Sequence, residues 1–150
     1  MKSTVIAAVL ALSAGMLSAQ TIAVKNAWVR TAVPGQPGTG AFMSITAKDG
    51  AKLVGVSSPV AGVAEVHEMK MENDIMKMRA VPVLDLPAGQ TVQLKPGGYH
   101  VMLMELKQVL PVGSSVPLTL VFRDSKGVES KVALKLPVSG AAPEIGRAHV

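Results

Sequence analysis

The sequence predicts an all-β fold, an antiparallel β-sandwich of about nine short strands. After the first twenty residues the chain consists of short apolar or alternating segments, as half-buried strands do. Glycine, proline, asparagine and aspartate separate these segments, and no long stretch has the apolar period of a helix. A length of 150 residues with 49% hydrophobic residues fits one globular domain.

Each candidate strand is an alternating or apolar segment that ends at a turn signal. The turns are "VPGQPGTG" after the first strand, "KDG" after the second, "DLPAGQ" and "KPGG" in the middle, and "DSKG" before the last. Turns at this spacing favour antiparallel neighbours. The predicted strands are residues 22–30, 40–47, 52–56, 64–71, 75–81, 91–94, 100–106, 116–122 and 129–136.

The two ends of the chain differ from the middle. Residues 1–19 carry Lys2, an apolar block over 5–12 and small residues at the end, a pattern typical of a secretory signal peptide. A transmembrane anchor is the alternative, but Ser13 and Gly15 interrupt the block, which falls short of the ~20 apolar residues of a span. We therefore predict a signal peptide over 1–19, a domain over 20–139, a flexible tail over 140–150, and a periplasmic location without a membrane span after cleavage.

Composition excludes several functional classes. The chain has no cysteine, so neither a disulfide nor a thiolate ligand or nucleophile is available. The net charge of +5 comes from scattered basic residues, and the few aromatic residues form no stacking platform, so we expect no nucleic-acid partner. The chain lacks a phosphate-binding loop, a G-x-S-x-G elbow and an H-E-x-x-H motif, and we do not expect an enzyme.

The segment "EVHEMKMENDIMKMRAV" predicts a hairpin whose two-residue loop is Asn73 and Asp74. Opposite residues of an antiparallel pair share a face, so the methionines and one histidine fall on one side and the charges on the other. The charged side should meet water, which turns the methionine side toward the inside of the sandwich. The first side carries His67, Met69, Met71, Met76 and Met78, and the second carries Glu68, Lys70, Lys77 and Arg79.

The stretch "GGYHVMLMEL" repeats this alternation on a later strand. His100 and Met102 lie two positions apart, ~6.6 Å along one face. Thioether sulfur is soft and favours Cu(I), and imidazole is compatible with it, whereas zinc, magnesium and calcium prefer other donors. Blue-copper electron transfer is excluded because it requires a cysteine thiolate.

Packing is the alternative explanation for these residues, since methionine fills cores and a single histidine is more often structural than a ligand. The residue pattern alone leaves both explanations open. We expect His149 to be a solvated tail residue. For the methionines outside the motif described next, we favour positions in the core or around a ligand set: Met69, Met71, Met76 and Met104.

The spacing of two histidines and two methionines, H-x10-M-x21-H-x-M, resembles the motif of the periplasmic copper(I) chaperones that help assemble the Cu-A centre of cytochrome c oxidase. The segments "VHEM", "MKMR" and "LKPGGYHVMLM" also resemble that family. The resemblance implies a cupredoxin-like Greek-key sandwich and one Cu(I) held by His67, Met78, His100 and Met102. It also implies delivery of copper to an acceptor protein. We expect this acceptor to be cytochrome c oxidase subunit II, and we expect the copper-binding protein to be a monomer.

Two further expectations concern this site. Some members of that family carry a second copper site in a tail rich in histidine and methionine, but this tail has only His149. A chaperone must expose its metal, so we expect the site at the rim of the sandwich. The rival hypothesis is a metal-free periplasmic interaction module that binds a protein through a methionine-rich face.

Overall fold

The computed structural model describes residues 21–141, and its regular elements are ten β-strands. Every predicted strand is present within a few residues of its expected bounds, which confirms the all-β prediction. The strands are β1 (Ile22–Arg30), β2 (Gly38–Ala47), β3 (Ala51–Ser57), β4 (Ala61–Glu72), β5 (Ile75–Ala80), β6 (Leu84–Leu86), β7 (Thr91–Leu94), β8 (Tyr99–Leu106), β9 (Ser115–Arg123) and β10 (Glu129–Ser139).

The strands follow the order β5-β4-β8-β2-β1-β10-β9-β3-β6, and β7 pairs with β2. This continuous path folds over itself, because β3 also contacts β4, and β6 contacts β2, across the interior. The two halves thus form the layers of a sandwich. One pair departs from the antiparallel prediction: β1 and β10 run parallel, and they join the two layers.

The tenth strand, β6, was not predicted. Its three residues lie between Pro82 and Pro87. These prolines indicate turns, and an apolar–polar alternation of three residues is too short to predict a strand between them. Leu84 and Leu86 are buried, while Asp85 points outward and pairs with Lys52 on β3 at 3.7 Å. Burial of two leucines thus defines an edge strand that is too short to recognise by period.

The core lies between the layers and is built from one face of every strand except β5, whose residues are all exposed. Val66 on β4 and Val101 and Leu103 on β8 belong to it, together with Leu118 and Leu120 from β9 in the other layer. Because successive side chains of a strand alternate between faces, the neighbours of these residues point away from the core. His67, His100 and Met102 therefore lie on the outer face of their sheet.

The β4–β5 hairpin has the predicted register, with Met69 opposite Met78 and Met71 opposite Met76. Asn73 and Asp74 form its loop with φ angles of 51° and 65°, the left-handed values that a two-residue I′ turn requires. The charged side of the hairpin continues the inner face of the sheet. It is nevertheless in contact with water, because the hairpin extends past the core. The expectation that the methionine side faces the inside was therefore wrong.

Two predictions fall on parts of the chain outside residues 21–141. They are the signal peptide over 1–19 and the flexible tail, which is described only as far as Ala141. Between Thr21 and Ala141 there is no helix with the length and apolar character to cross a membrane.

Candidate metal centre

Two imidazoles meet on the outer face of the sheet formed by β4 and β8. These strands are antiparallel neighbours, and their register places His67 directly opposite His100. The ring centroids are 6.0 Å apart and the rings meet edge to face. Because metal–imidazole bonds are about 2 Å long, rings at this separation are close enough for one ion to bind both.

One nitrogen of each ring is hydrogen-bonded to a protein acceptor, and the other nitrogen is available to a ligand. His100 Nδ1 donates to the carbonyl of Gly98 at 3.2 Å, so Nε2 carries the lone pair of the neutral ring. His67 Nε2 donates to Glu65 Oε1 at 2.9 Å, and His67 Nδ1 is buried without a hydrogen-bond partner. A buried polar atom without a partner costs free energy, which an ion at Nδ1 would offset. Carboxylates and carbonyls hold metal-binding histidines in this same way.

The turn "KPGG" positions the His100 ring. Gly97 adopts a φ of 88°, and the carbonyl of Gly98 accepts hydrogen bonds from both the His100 ring and the Met69 backbone. The pKa of His100 is lowered from its ordinary value of 6.5, and burial is the largest cause. The hydrogen bond to Gly98 acts in the opposite direction, and the charges of His67 and Arg30 lower the pKa further. The ring thus stays neutral, and able to bind a metal, to more acidic pH than a free histidine.

The two predicted methionine ligands lie beside these rings. Met102 follows His100 by two positions on β8, and Met78 lies on β5 opposite Met69. A surface cavity of about 260 Å³ is lined by three of the four predicted ligands. His67 does not line this cavity, but its ring is 6.0 Å from the His100 ring, which does. Its lining residues are Arg30, Gly40, Phe42, Met69, Met78, Pro96, Gly97, His100 and Met102.

The other methionines separate into two groups. Met69 lines the cavity, and both Met69 and Met104 are half-buried. Met71 and Met76 are 60% and 46% exposed. Of the two expected positions for Met71 and Met76, in the core or around a ligand set, the core is wrong, because both lie on the outer face of the hairpin.

An aromatic wall closes one side of the cavity. Trp28 and Phe42 are buried, yet neither belongs to the core between the layers. Their rings lie 4.9 Å apart, and Phe42 is 6.3 Å from the His100 ring. Arg30 covers Phe42 at 5.3 Å, within the range of a cation–π contact. Phe42 thus lines the cavity beside the His100 ring, and Trp28 packs against Phe42.

Sequence reasoning missed the residues that support the rings. Glu65 precedes His67 by two positions, so the same alternation that grouped His67 with Met69 could have identified it. Gly98 follows likewise from its position two residues before His100. Arg30 and Phe42 had no such signal, since they reach the site through the pairing of β1, β2 and β8.

The arrangement presents two imidazole nitrogens and thioether sulfurs on one face. Such a donor set suits a soft monovalent ion. Between residues 21 and 141, no three carboxylate, thiol or imidazole groups come together in a way that could hold a metal ion.

Comparisons with known proteins identify the family of this chain. The family model described as "Putative lipoprotein LpqE-like" matches residues 22–137. A relative from Leifsonia xyli subsp. xyli (strain CTCB07), "Putative lipoprotein Lxx21020", is 35% identical over 127 residues, or 84% of this chain and 75% of the relative.

Solved structures with this fold include PCuAC domains. The apo PCuAC domain from PmoF1 superimposes with a TM-score of 0.65 at 25% identity, covering 81% of this chain and 95% of that domain. The solution structure of CuI-DR1885 from Deinococcus radiodurans superimposes with a TM-score of 0.56 at 32% identity, covering 85% and 86% of the two chains. The cupredoxin-like fold and the relationship that the motif predicted are confirmed. The chain belongs to the LpqE-like family and shares the fold of PCuAC copper chaperone domains.

Proposed function

We propose that this protein is an exported copper chaperone that binds one Cu(I) and transfers it to an acceptor protein. The proposed ligands are His67, Met78, His100 and Met102. The acceptor is cytochrome c oxidase subunit II, and the transferred ion serves assembly of the Cu-A centre. The protein binds and delivers without turnover, and it acts in the periplasm.

The observation that carries this proposal is the pair of opposed imidazoles beside thioethers on one outer face. Each ring is held by a hydrogen bond at one nitrogen, and the free Nδ1 of His67 is buried without a partner. Packing alone gives no reason for a buried ring nitrogen without a hydrogen bond. The solved relative from Deinococcus radiodurans carries Cu(I), which agrees with this donor set.

The exposure of the ligands supports release as well as binding. His100 is 6% exposed, whereas Met78 is 48% exposed on β5, the edge strand of its sheet. A thioether is a neutral ligand and needs no proton to dissociate. Met78 is therefore the ligand that an incoming thiolate of the acceptor displaces first, and the buried histidine leaves last.

Export is supported by the relatives and by the chain itself. The family and the Leifsonia relative are both named as lipoproteins, a class that resides at the cell envelope. The sequence pattern over 1–19 fits a signal for export. Methionine ligands also suit an oxidising compartment, since a thioether cannot form a disulfide.

The test is an anaerobic Cu(I) competition titration of the wild type and of variants at the four ligand positions. We expect one Cu(I) per chain, and weaker binding in Met78→Leu, Met102→Leu, His67→Ala and His100→Ala. Met43→Leu is the matched control, because Met43 lies in the core on the opposite face of the sheet. Unchanged affinity in both Met78→Leu and Met102→Leu would remove the methionines from the ligand set.

The rival function, a metal-free interaction module, has one observation in its favour, the exposed apolar side chains Met71, Ile75 and Met76 at the hairpin tip. Native mass spectrometry after growth with copper separates the two functions. A stoichiometric copper adduct that disappears in the His67→Ala/His100→Ala variant supports the chaperone. A chain that never acquires copper supports the module.

A further inference from the structure

A pair of methionines at the tip of the β4–β5 hairpin has no role in the fold. Met71 and Met76 are directly opposite each other in the register, and their side chains are 60% and 46% exposed. Neither belongs to the core or to the residues packed against it. Packing, the usual use of methionine, therefore does not account for them.

This outer pair lies on the same face as the proposed copper site. The next pair toward the sheet on that face is Met69 opposite Met78, and both of these line the cavity. Positions two apart on a strand are separated by about 6.6 Å, so flexible thioether side chains of the two pairs can approach one another. Sulfur donors thus extend without interruption from the cavity to the hairpin tip.

The reverse face of the hairpin has the opposite character. Lys70 lies opposite Lys77 between the two methionine pairs in the register, and Lys77 is 3.7 Å from Glu72. From the Met69–Met78 pair to the loop, the charged strand residues are therefore on one face and the soft neutral donors on the other. A monovalent soft ion meets no competing carboxylate among the four methionines of the hairpin.

We propose that Met71 and Met76 form a second, weaker site for Cu(I), through which the ion passes between the inner site and the acceptor. This inference rests on the proposed function and adds an exchange site to it. Two thioethers bind more weakly than two imidazoles and two thioethers, so the ion occupies the outer pair only in transit or when the inner site is full. Movement of the ion between the inner site and the outer pair transfers no electron and no proton, because these ligands are neutral and the ion stays monovalent; any protons are released later, by the acceptor's thiols when they bind the ion.

The experiment uses the mature protein with ¹³C-labelled methionine methyl groups and Ag(I) as a redox-stable soft probe. The first equivalent of Ag(I) should shift the methyl signals of Met78 and Met102. Further equivalents should then shift those of Met71 and Met76. If Met78 and Met102 respond and Met71 and Met76 do not, the second site does not exist.

The variant Met71→Leu/Met76→Leu keeps side-chain volume and removes both sulfurs. We expect it to bind the first Ag(I) like the wild type, to lose the second binding event, and to transfer Cu(I) several-fold more slowly to a dithiol peptide. The matched control Lys70→Gln/Lys77→Gln changes the reverse face of the same hairpin and should leave the second event and the transfer rate unchanged.

The outcomes distinguish this inference from the proposed function. A second event and a wild-type transfer rate in Met71→Leu/Met76→Leu would overturn the exchange site and leave the inner site standing. Absence of any response at Met78 and Met102 would overturn the proposed function, and this inference with it.

Discussion

At the scale of single residues, hydrogen bonds from neighbouring groups fix the orientation of the two imidazole rings. Each ring gives one nitrogen to a protein acceptor, Glu65 for His67 and the Gly98 carbonyl for His100, and keeps the other for a ligand. This division sets the tautomer and the direction of the lone pair before any ion arrives. Affinity should therefore depend on residues that never touch the metal.

Glu65 is the residue in which this dependence is most easily measured. Glu65→Ala removes the acceptor of His67 Nε2–H, so the ring is free to rotate and to change tautomer. We expect Cu(I) affinity to fall by about 10–100-fold, the usual effect of losing such a support. Glu65→Gln keeps an acceptor oxygen and should recover part of the loss. An anaerobic competition titration measures both, and equal affinity in all three proteins would contradict the role of Glu65.

The pH dependence of copper binding follows from the lowered pKa of His100. Only the neutral ring binds a metal, so protons compete with Cu(I) for Nε2 below that pKa. We expect the part of the affinity due to His100 to persist below pH 6.5, the ordinary histidine value, and to be lost at more acidic pH. Titrations of wild type and His100→Ala across this range should converge at low pH. A loss centred above pH 6.5 would contradict the expectation.

The same lowered pKa has a consequence for the stability of the metal-free protein. The unfolded chain takes up a proton at the ordinary pKa of 6.5, whereas the folded chain resists protonation of His100 until lower pH. The unfolded state then binds more protons, so stability is retained above pH 6.5 and declines as pH falls from that value toward the folded pKa. Urea unfolding of wild type and His100→Ala at several pH values measures this difference.

At the scale of elements, the site depends on how β2 packs the Phe42 ring beside the His100 ring of β8. Gly40 on β2 pairs with Met102 on β8 and lines the cavity beside the Phe42 ring. A Cβ at this glycine would lie 2.8 Å from Phe42 Cζ, closer than real contacts allow. The glycine therefore permits the aromatic ring to lie against the strand.

Gly40→Ala should displace the Phe42 ring and disturb its contact with His100. We expect a loss of about 1–3 kcal/mol of stability, as for other overpacked sites, together with weaker Cu(I) binding. Gly55→Ala on β3 is the control, because its Cβ would make an ordinary contact of 3.4 Å with Val121. Urea unfolding and NMR shifts of the His100 ring test this, and equal stability of wild type and Gly40→Ala would contradict it.

At the scale of the whole molecule, the sandwich keeps the core and the site on opposite faces of one sheet. The core fills the space between the layers, whereas the histidines, Trp28 and Phe42 lie outside it. The site is therefore attached to a stable scaffold without taking part in its core. At the proposed site a metal would therefore lie outside the core that stabilises the fold.

Stability and copper affinity should therefore respond separately to core substitutions in the far layer. Leu118 is fully buried on β9, and Leu118→Ala should cost about 2–5 kcal/mol of stability through the lost burial and the cavity left behind. The Cu(I) affinity of the folded fraction should stay at the wild-type value. Urea unfolding and competition titration measure the two quantities, and a large loss of affinity in well-folded Leu118→Ala would show that the two faces are coupled.

Local rules account for what the sequence alone determined. A two-residue turn sets the register of a hairpin, and the strand period of two sets which residues share a face. Hence the pairs Met69–Met78 and Met71–Met76, and the joint position of His100 and Met102 on one face, were predicted correctly. These features need only neighbours along the chain.

Tertiary structure alone decided which face is buried and which strands are adjacent. The charges of the hairpin predicted the wrong inner face, because β4 and β5 extend beyond the second layer and their charged side reaches water there. The opposition of His67 to His100 depends on β4 lying beside β8, and the parallel pairing of β1 with β10 depends on how the layers join. Strand neighbours distant in sequence are chosen by burial of the whole core, a non-local quantity that no single segment encodes.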